Sequence, residues 1–266
     1  MRGPGALMAI DERGNTAGYV SNGCVDGDIA SRAIAAMKTG ENAALRYGEG
    51  SPFKDIVLPC GGSIDVLIIT YPDIQAVQTL SASLRERESL RVYASVQVGL
   101  SLSAVGGFSH DFKPKLRLQV AGRGAAMTAL AMQAAAAGID VFAASPEQDD
   151  LDELSEIRST LLTPNRPAFA RADAHTAVTV MFHDHDWEPP ILLAALDSPA
   201  FFIGALGSRN THAARLHRLR AMGADEAQLN RIHGPVGLIP SLRDANLVAV
   251  STLAHIIQCA KEAGRL

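Results

Sequence analysis

The segment Leu116–Met127, LRLQVAGRGAAM, with its continuation Ile139–Ser145, IDVFAAS, decides the fold of this chain. An apolar strand runs into Gly122-x-Gly124, an alanine-rich helix spans Ala125 to Ala137, and a second apolar strand follows, so a βαβ unit begins near Leu116. The alternation continues downstream. A helix is expected at about 149–158, a strand at AVTVMF, a helix at about 189–196, a strand at FFIGALG, a helix at about 209–222 and a closing helix at about 242–263. Elements that alternate in this way imply a parallel sheet covered on both faces.

Upstream the pattern is different. ALMAID and TAGYVS read as a hairpin across the turn ERGN, a helix runs from Asp26 to about Lys38 with Gly40 able to end it, and IDVLIITYP is a strand closed by Pro72. A helix at about 73–88 and a strand at RVYASVQVGL follow, and the Ser-, Gly- and Pro-containing stretch between Leu100 and Lys115 reads as a linker. The expected architecture is α/β: an N-terminal mixed α/β domain over 1–102 and a C-terminal Rossmann-like parallel-sheet domain over 115–266.

Composition limits the function. With 266 residues, 47% of them hydrophobic, the chain can bury a sizeable core. A net charge of -4, with Lys and Arg scattered along the chain, argues against a nucleic-acid partner. No apolar run is long enough to span a bilayer, and MRGPGALMAIDERG lacks a signal-peptide core, so a cytoplasmic protein is expected. Cys24, Cys60 and Cys259 are too few and too dispersed for a disulfide framework.

Gly122 and Gly124 occupy the first two positions of a dinucleotide fingerprint, where backbone N–H groups and a helix N-terminus can approach phosphate. Met127 at the third position puts close helix-to-strand packing in question, and Ser145 stands where an acid should hold a ribose. A nucleotide-free Rossmann-like domain and an NAD(P)-dependent oxidoreductase both stay open, with Arg123 available for a 2'-phosphate. A second glycine turn, FIGALGSRNTH, should face the first across the crevice. There Ser208 is an N-cap candidate, and Arg209 and His212 are placed to receive an anion beside Gly204 and Gly207. Ala213, Leu216, Leu219 and Met222 form an apolar stripe, with Arg215, Arg218 and Arg220 on the solvated face. In FHDHDWE, His183 and His185 would share a side of an extended segment, and His233, ahead of Gly234-Pro235, could complete the crevice.

Cys24, just ahead of a helix, and Cys60, beside Gly61 and Gly62, are candidate thiolates or buried reduced cysteines, while Cys259 falls in the apolar pattern of the last helix and reads as core. In order, GALMAI, SNGCVDGD, LRYGEG, LPCGG, VAGRGAA, FHDHDWE, FIGALGSRNTH and RIHGPVGL resemble the xanthine dehydrogenase accessory family, XdhC/CoxI, over nearly the whole chain. The resemblance implies a non-catalytic chaperone that binds molybdenum cofactor (molybdopterin) and assists its sulfuration or its insertion into a xanthine dehydrogenase-type molybdoenzyme. Further implied partners are a cysteine desulfurase and a second copy of the chain. It assigns Cys24 and Cys60 to the metal and cofactor, and Gly122, Gly124, Gly204, Gly207, Ser208, Arg209 and His212 to cofactor binding. Departures from the family pattern are Asn22 for a glycine, Asp26 for a glutamate, Arg123 and Ala125 around Gly124, and Ser145 for the strand-end acid. The family's opening helix and strand have no counterpart beyond Arg2 and GPGA, so a later or trimmed start and an exposed sheet edge are expected.

Overall fold

The computed structural model describes residues 3–52, 58, 61–164, 168–182 and 186–266. The chain divides into unit 1, Met1–Pro114, and unit 2, Lys115–Leu266. Cys60, His183 and His185 lie outside the described residues.

In unit 1, β1 (Met8–Ile10) pairs antiparallel with β2 (Thr16–Gly18), and the Asp11 carboxylate closes the turn by accepting the N–H groups of Arg13 and Asn15 at 2.9 and 2.8 Å. Helix α1 (Asp26–Thr39) stops at Gly40, whose left-handed φ of 74° carries no Cβ penalty. β3 (Ala43–Gly48) and β4 (Ser63–Ile68) form a second antiparallel pair. Asp73 caps α2 (Ile74–Arg85), and β5 (Leu90–Ser95) is the centre of a three-stranded sheet between β6 (Gly99–Ser101) and β7 (Phe108–Phe112). Two expectations change here. RVYASVQVGL doubles back on itself as β5 and β6, with Gly99 at φ 77°, and part of the supposed linker is β7, paired from Phe112 to Leu90. Pairing with β5, reinforced by a bidentate Arg91–Asp111 contact, overrides the loop-like composition. Val25, Ile29, Tyr47 and Leu58 form the core of this unit.

Unit 2 begins with β8 (Arg117–Gly122), α3 (Ala125–Ala136), β9 (Asp140–Ser145), α4 (Gln148–Asp152), β10 (Arg158–Leu161) and β11 (Thr176–Met181). It continues with α5 (Glu188–Leu196), β12 (Phe202–Ala205), α6 (Arg209–Ala221), α7 (Glu226–Leu229), β13 (Ile232–His233) and α8 (Ala245–Glu262). The six strands are parallel in the order β10-β9-β8-β11-β12-β13, the Rossmann arrangement in which strand order reverses between β8 and β11. Every residue of β11 is buried, as a central strand covered on both faces requires. One core layer includes Met127, Leu130, Phe202, Val236 and Ile256; the other includes Val180, Phe182, Leu192, Ile203 and Leu219. Burying each large side chain contributes about 1.5–3 kcal/mol. Arg231 ties the edge strand in place by donating to the carbonyls of Leu196, Ser198 and Ala200 at 2.6, 2.9 and 3.0 Å.

Three expectations for unit 2 are corrected. The helix expected at 149–158 is only α4, and Arg158–Leu161 is instead an edge strand paired with β9. β13 and α7 were not anticipated, because elements of two and four residues carry no readable period. The stripe on α6 is rotated: Leu219 is buried, but Ala213 and Met222 are exposed, and Arg215 points inward. Its guanidinium makes a bidentate contact with Glu188, both bonds 2.9 Å, and donates to the Leu206 carbonyl at 2.7 Å. A sequence window shows an arginine between apolar residues and cannot show a carboxylate waiting 27 positions away.

Removing one partner of a buried pair strands the other charge. Glu188→Ala should therefore cost about 3–5 kcal/mol in denaturant unfolding, whereas Arg220→Ala, which breaks the exposed pair with Glu226, should cost less than about 0.5 kcal/mol.

Candidate functional site

Ligands of this sheet type bind beyond the C-terminal strand ends, near the switch point. The two glycine turns follow β8 and β12, the two strands that flank β11. At the first turn, a Cβ on Gly122 would sit 2.7 Å from the Met181 carbonyl oxygen and 2.9 Å from the Met127 Cβ. Close packing is thus present with methionine at the third fingerprint position, and Met127 is wholly buried. Gly124, at φ 77°, faces open space. Its N–H, however, donates to the Asp150 carboxylate at 3.0 Å, and the Ser145 hydroxyl donates to the same oxygen at 2.7 Å. An internal carboxylate therefore occupies a donor that a pyrophosphate would need. Arg123 is paired with Glu147 at 2.9 Å, so the residue considered for a 2'-phosphate is already engaged.

The second turn is built differently. Ser208 caps α6 by accepting the Thr211 N–H at 3.1 Å, and Gly207 has a φ of 141° that places it hard against Thr211. Gly204 is a packing glycine: Phe202 and Val236 fill the space its Cβ would need. Arg209, the first residue of α6, is exposed and has no hydrogen bond or ion pair with the described residues. Its charge adds to the positive end of a thirteen-residue helix. His212 packs its ring where a Cβ on Gly234 would stand, with a buried Nδ1 that has no hydrogen-bond partner among the described residues. Burial, followed by the neighbouring Arg215 charge, lowers the His212 pKa and keeps the ring neutral at pH 7. Arg209 is therefore the exposed cation of this turn, Arg215 being buried against Glu188, and His212 joins α6 to the segment after β13. Val236 reinforces that join by donating to the Ala205 carbonyl at 3.0 Å. His233 stacks on Phe202 at 4.7 Å, within the core layer that includes α8 residues, and this differs from the expected place in the crevice. A cavity of about 770 Å³ lined by Gln119, Phe169, Val178, Trp187 and Ile191 lies against the sheet face, away from both glycine turns.

In unit 1, Cys24 is exposed in a loop that folds around one carboxylate. Asp26 accepts the N–H groups of Val20 and Ser21 at 3.0 Å each and that of Gly23 at 2.7 Å. The buried Ser21 hydroxyl accepts the Val25 N–H at 2.9 Å. Burial alone would raise the Asp26 pKa, but the N–H donors of Val20, Gly23 and Ser21 outweigh it and hold the carboxyl below its ordinary range. The acid read only as a shortened family residue is thus what fixes the cysteine loop. An Asp opening a helix directly after a Gly-Cys loop is the available signal. Asp28 braces the first turn of α1 from below, accepting from Arg32 at 2.6 Å and from the Tyr47 hydroxyl at 2.7 Å. The described residues bring no group of three candidate metal ligands to Cys24.

Comparison with known proteins matches segments of both units. A model of the XdhC Rossmann domain matches residues 118–256, and a model of the XdhC and CoxI family matches residues 1–48. The chain belongs to the XdhC and CoxI family. The Escherichia coli (strain K12) molybdenum cofactor insertion chaperone PaoD is 36% identical over 266 residues, 95% of this chain and 77% of that protein. The uncharacterized protein YqeB of the same organism is 29% identical over 152 residues, 56% of this chain and 28% of that protein. A Bacillus halodurans structure named as a xanthine dehydrogenase superposes with a TM-score of 0.74 at 20% identity, covering 98% of this chain and 88% of that one, and it supports the fold. Among the described residues of this family member, no helix is long and apolar enough to cross a membrane.

Because the Asp26 pKa is depressed on folding, its stabilisation is present above the unfolded-state pKa and is lost as pH falls through the folded value. Asp26→Ala should destabilise unit 1 by about 1–2 kcal/mol at pH 7 and flatten the acid limb of its stability profile. Amide hydrogen exchange at residues 20–23 should accelerate in the variant.

Proposed function

We propose that this protein binds molybdenum cofactor and hands it to a client molybdoenzyme. The observation that carries this reading is the 36% identity with the insertion chaperone PaoD across almost the whole chain. The geometry of the second glycine turn is consistent with it. Arg209, which has no ion pair among the described residues, is a cation at a capped helix N-terminus and is suited to charge-assisted hydrogen bonds with a pterin phosphate. The first turn suits a phosphate less well, because Asp150 both fills the Gly124 donor and brings negative charge. The same contact, with Arg123 held by Glu147, counts against NAD(P).

The cysteine loops are assigned separately, on unit 1. Cys24, presented by the loop that Asp26 fixes, serves as a soft sulfur ligand toward molybdenum during transfer, and Cys60 is its counterpart in LPCGG. The client in this proposal is of the xanthine dehydrogenase type, a cysteine desulfurase supplies sulfur for the sulfurated form, and the chaperone acts as a homodimer in the cytoplasm without catalysing a reaction of its own.

Molybdenum retained by protein purified anaerobically from cells that make the cofactor tests the assignment. Arg209→Ala should lower the metal content at limiting cofactor by about 10-fold or more, as expected for loss of a charge-assisted contact. Cys24→Ala should also lower it and should slow activation of the apo-client. Wild-type retention and activation in both variants would contradict the residue assignments.

A further inference from the structure

Three residues outside the proposed cofactor site converge in unit 2. His255 and Cys259 lie one turn apart on the same side of α8, and His233 ends the edge strand β13. One ligand atom from each lies within 4.8 Å of the other two. The imidazoles meet edge to face at 4.9 Å, and both pack on Phe202, at 4.7 Å for His233 and 5.1 Å for His255. Ring packing alone would explain two aromatic residues here, but not a thiol facing the same point. Neither His233 nitrogen nor the Cys259 sulfur has a hydrogen-bond partner among the described residues. His255 Nδ1 accepts one long contact, 3.3 Å from the Gly237 N–H.

We propose that His233, His255 and Cys259 form a binding site for a single Zn²⁺ ion that pins α8 to the edge of the parallel sheet. Two imidazoles and one thiolate are a ligand set that zinc favours. A tetrahedral zinc site needs ligand atoms about 3.3–3.7 Å apart, given metal bonds of about 2.0–2.3 Å. The cluster therefore has to contract by about an ångström, and His255 gives up the Gly237 contact. Burial, reinforced at His233 by the neighbouring His255 charge and opposed at both rings by Glu262, lowers the imidazole pKa values and so favours the neutral form that ligates. Burial and Glu262 keep the metal-free thiol protonated, so zinc binding breaks the S–H bond, forms Zn–S and releases the proton to solvent. All three residues are partly exposed, which gives the ion an entry path and leaves its fourth position to water.

Co²⁺, added alone to reduced metal-free protein, reports this site through a thiolate-to-cobalt charge-transfer band and needs no pterin. One Co²⁺ per chain, displaced by Zn²⁺, is expected, and the band should persist in Cys24→Ser/Cys60→Ser, which leaves Cys259 as the one remaining thiol. Cys259→Ser should abolish the band, and His255→Gln should weaken Zn²⁺ binding by at least about 10-fold, since even the loss of an outer-sphere partner does that. Circular dichroism of the metal-free variants checks that they are folded, and His255→Gln stands as the second test if Cys259→Ser does not fold. Loss of the band in Cys24→Ser/Cys60→Ser, or no stoichiometric Co²⁺ binding by the wild type, would overturn the proposal without affecting the cofactor-insertion reading.

Discussion

Glu188 and Arg215 meet inside unit 2 with both side chains about 2% exposed, and the shape of the second glycine turn depends on their contact. Glu188 is the first residue of α5, and Arg215 lies in the middle of α6. The same guanidinium holds the Leu206 carbonyl, immediately before Gly207 and Ser208. One side chain thus sets the angle between two helices and the exit of β12. Desolvating two charges offsets much of their attraction, so the pair is better regarded as a positioning device than as a source of net stability. It delivers the α6 N-terminus, with Arg209 exposed at its start, to the end of the strand.

A similar logic governs unit 1, where a single carboxylate organises a loop. Three backbone N–H groups converge on Asp26, and a Gly-containing loop that would otherwise be free to sample many conformations is held with Cys24 outward. In both units, an internal charge satisfies backbone groups next to the candidate chemistry. The Asp150 contact with Gly124 belongs to the same pattern and has an opposite consequence, because there the internal carboxylate occupies a place that a phosphate would otherwise take.

Much of the fold was legible because its strongest signals are local. The run from Leu118 to Gly122, fully buried on both faces, could only be a central strand, and Gly40, Ser208 and Pro72 punctuate as their backbone preferences dictate. The missed elements depend on distant partners. β7 and β10 acquire strand character from β5 and β9, with little hydrophobic alternation of their own. Sequence alone places Arg215 on the solvated face because arginine usually lies there, and only the tertiary contact with Glu188 reverses that expectation. The role of Asp26 is half visible in the sequence, which shows the acid but not its grip on the preceding loop. Cys259, expected as core, does pack against that layer, yet it also sits beside two histidines from positions that no sequence period connects.

The proposed function requires that the chain carry molybdenum cofactor and not a dinucleotide. Its most direct test is anaerobic calorimetric titration of the reduced full-length protein with cofactor released from a donor molybdoenzyme, with NAD and NADP titrated in parallel. Saturable cofactor binding with no heat from either dinucleotide is the predicted result. Saturable NAD or NADP binding without cofactor binding would contradict the account.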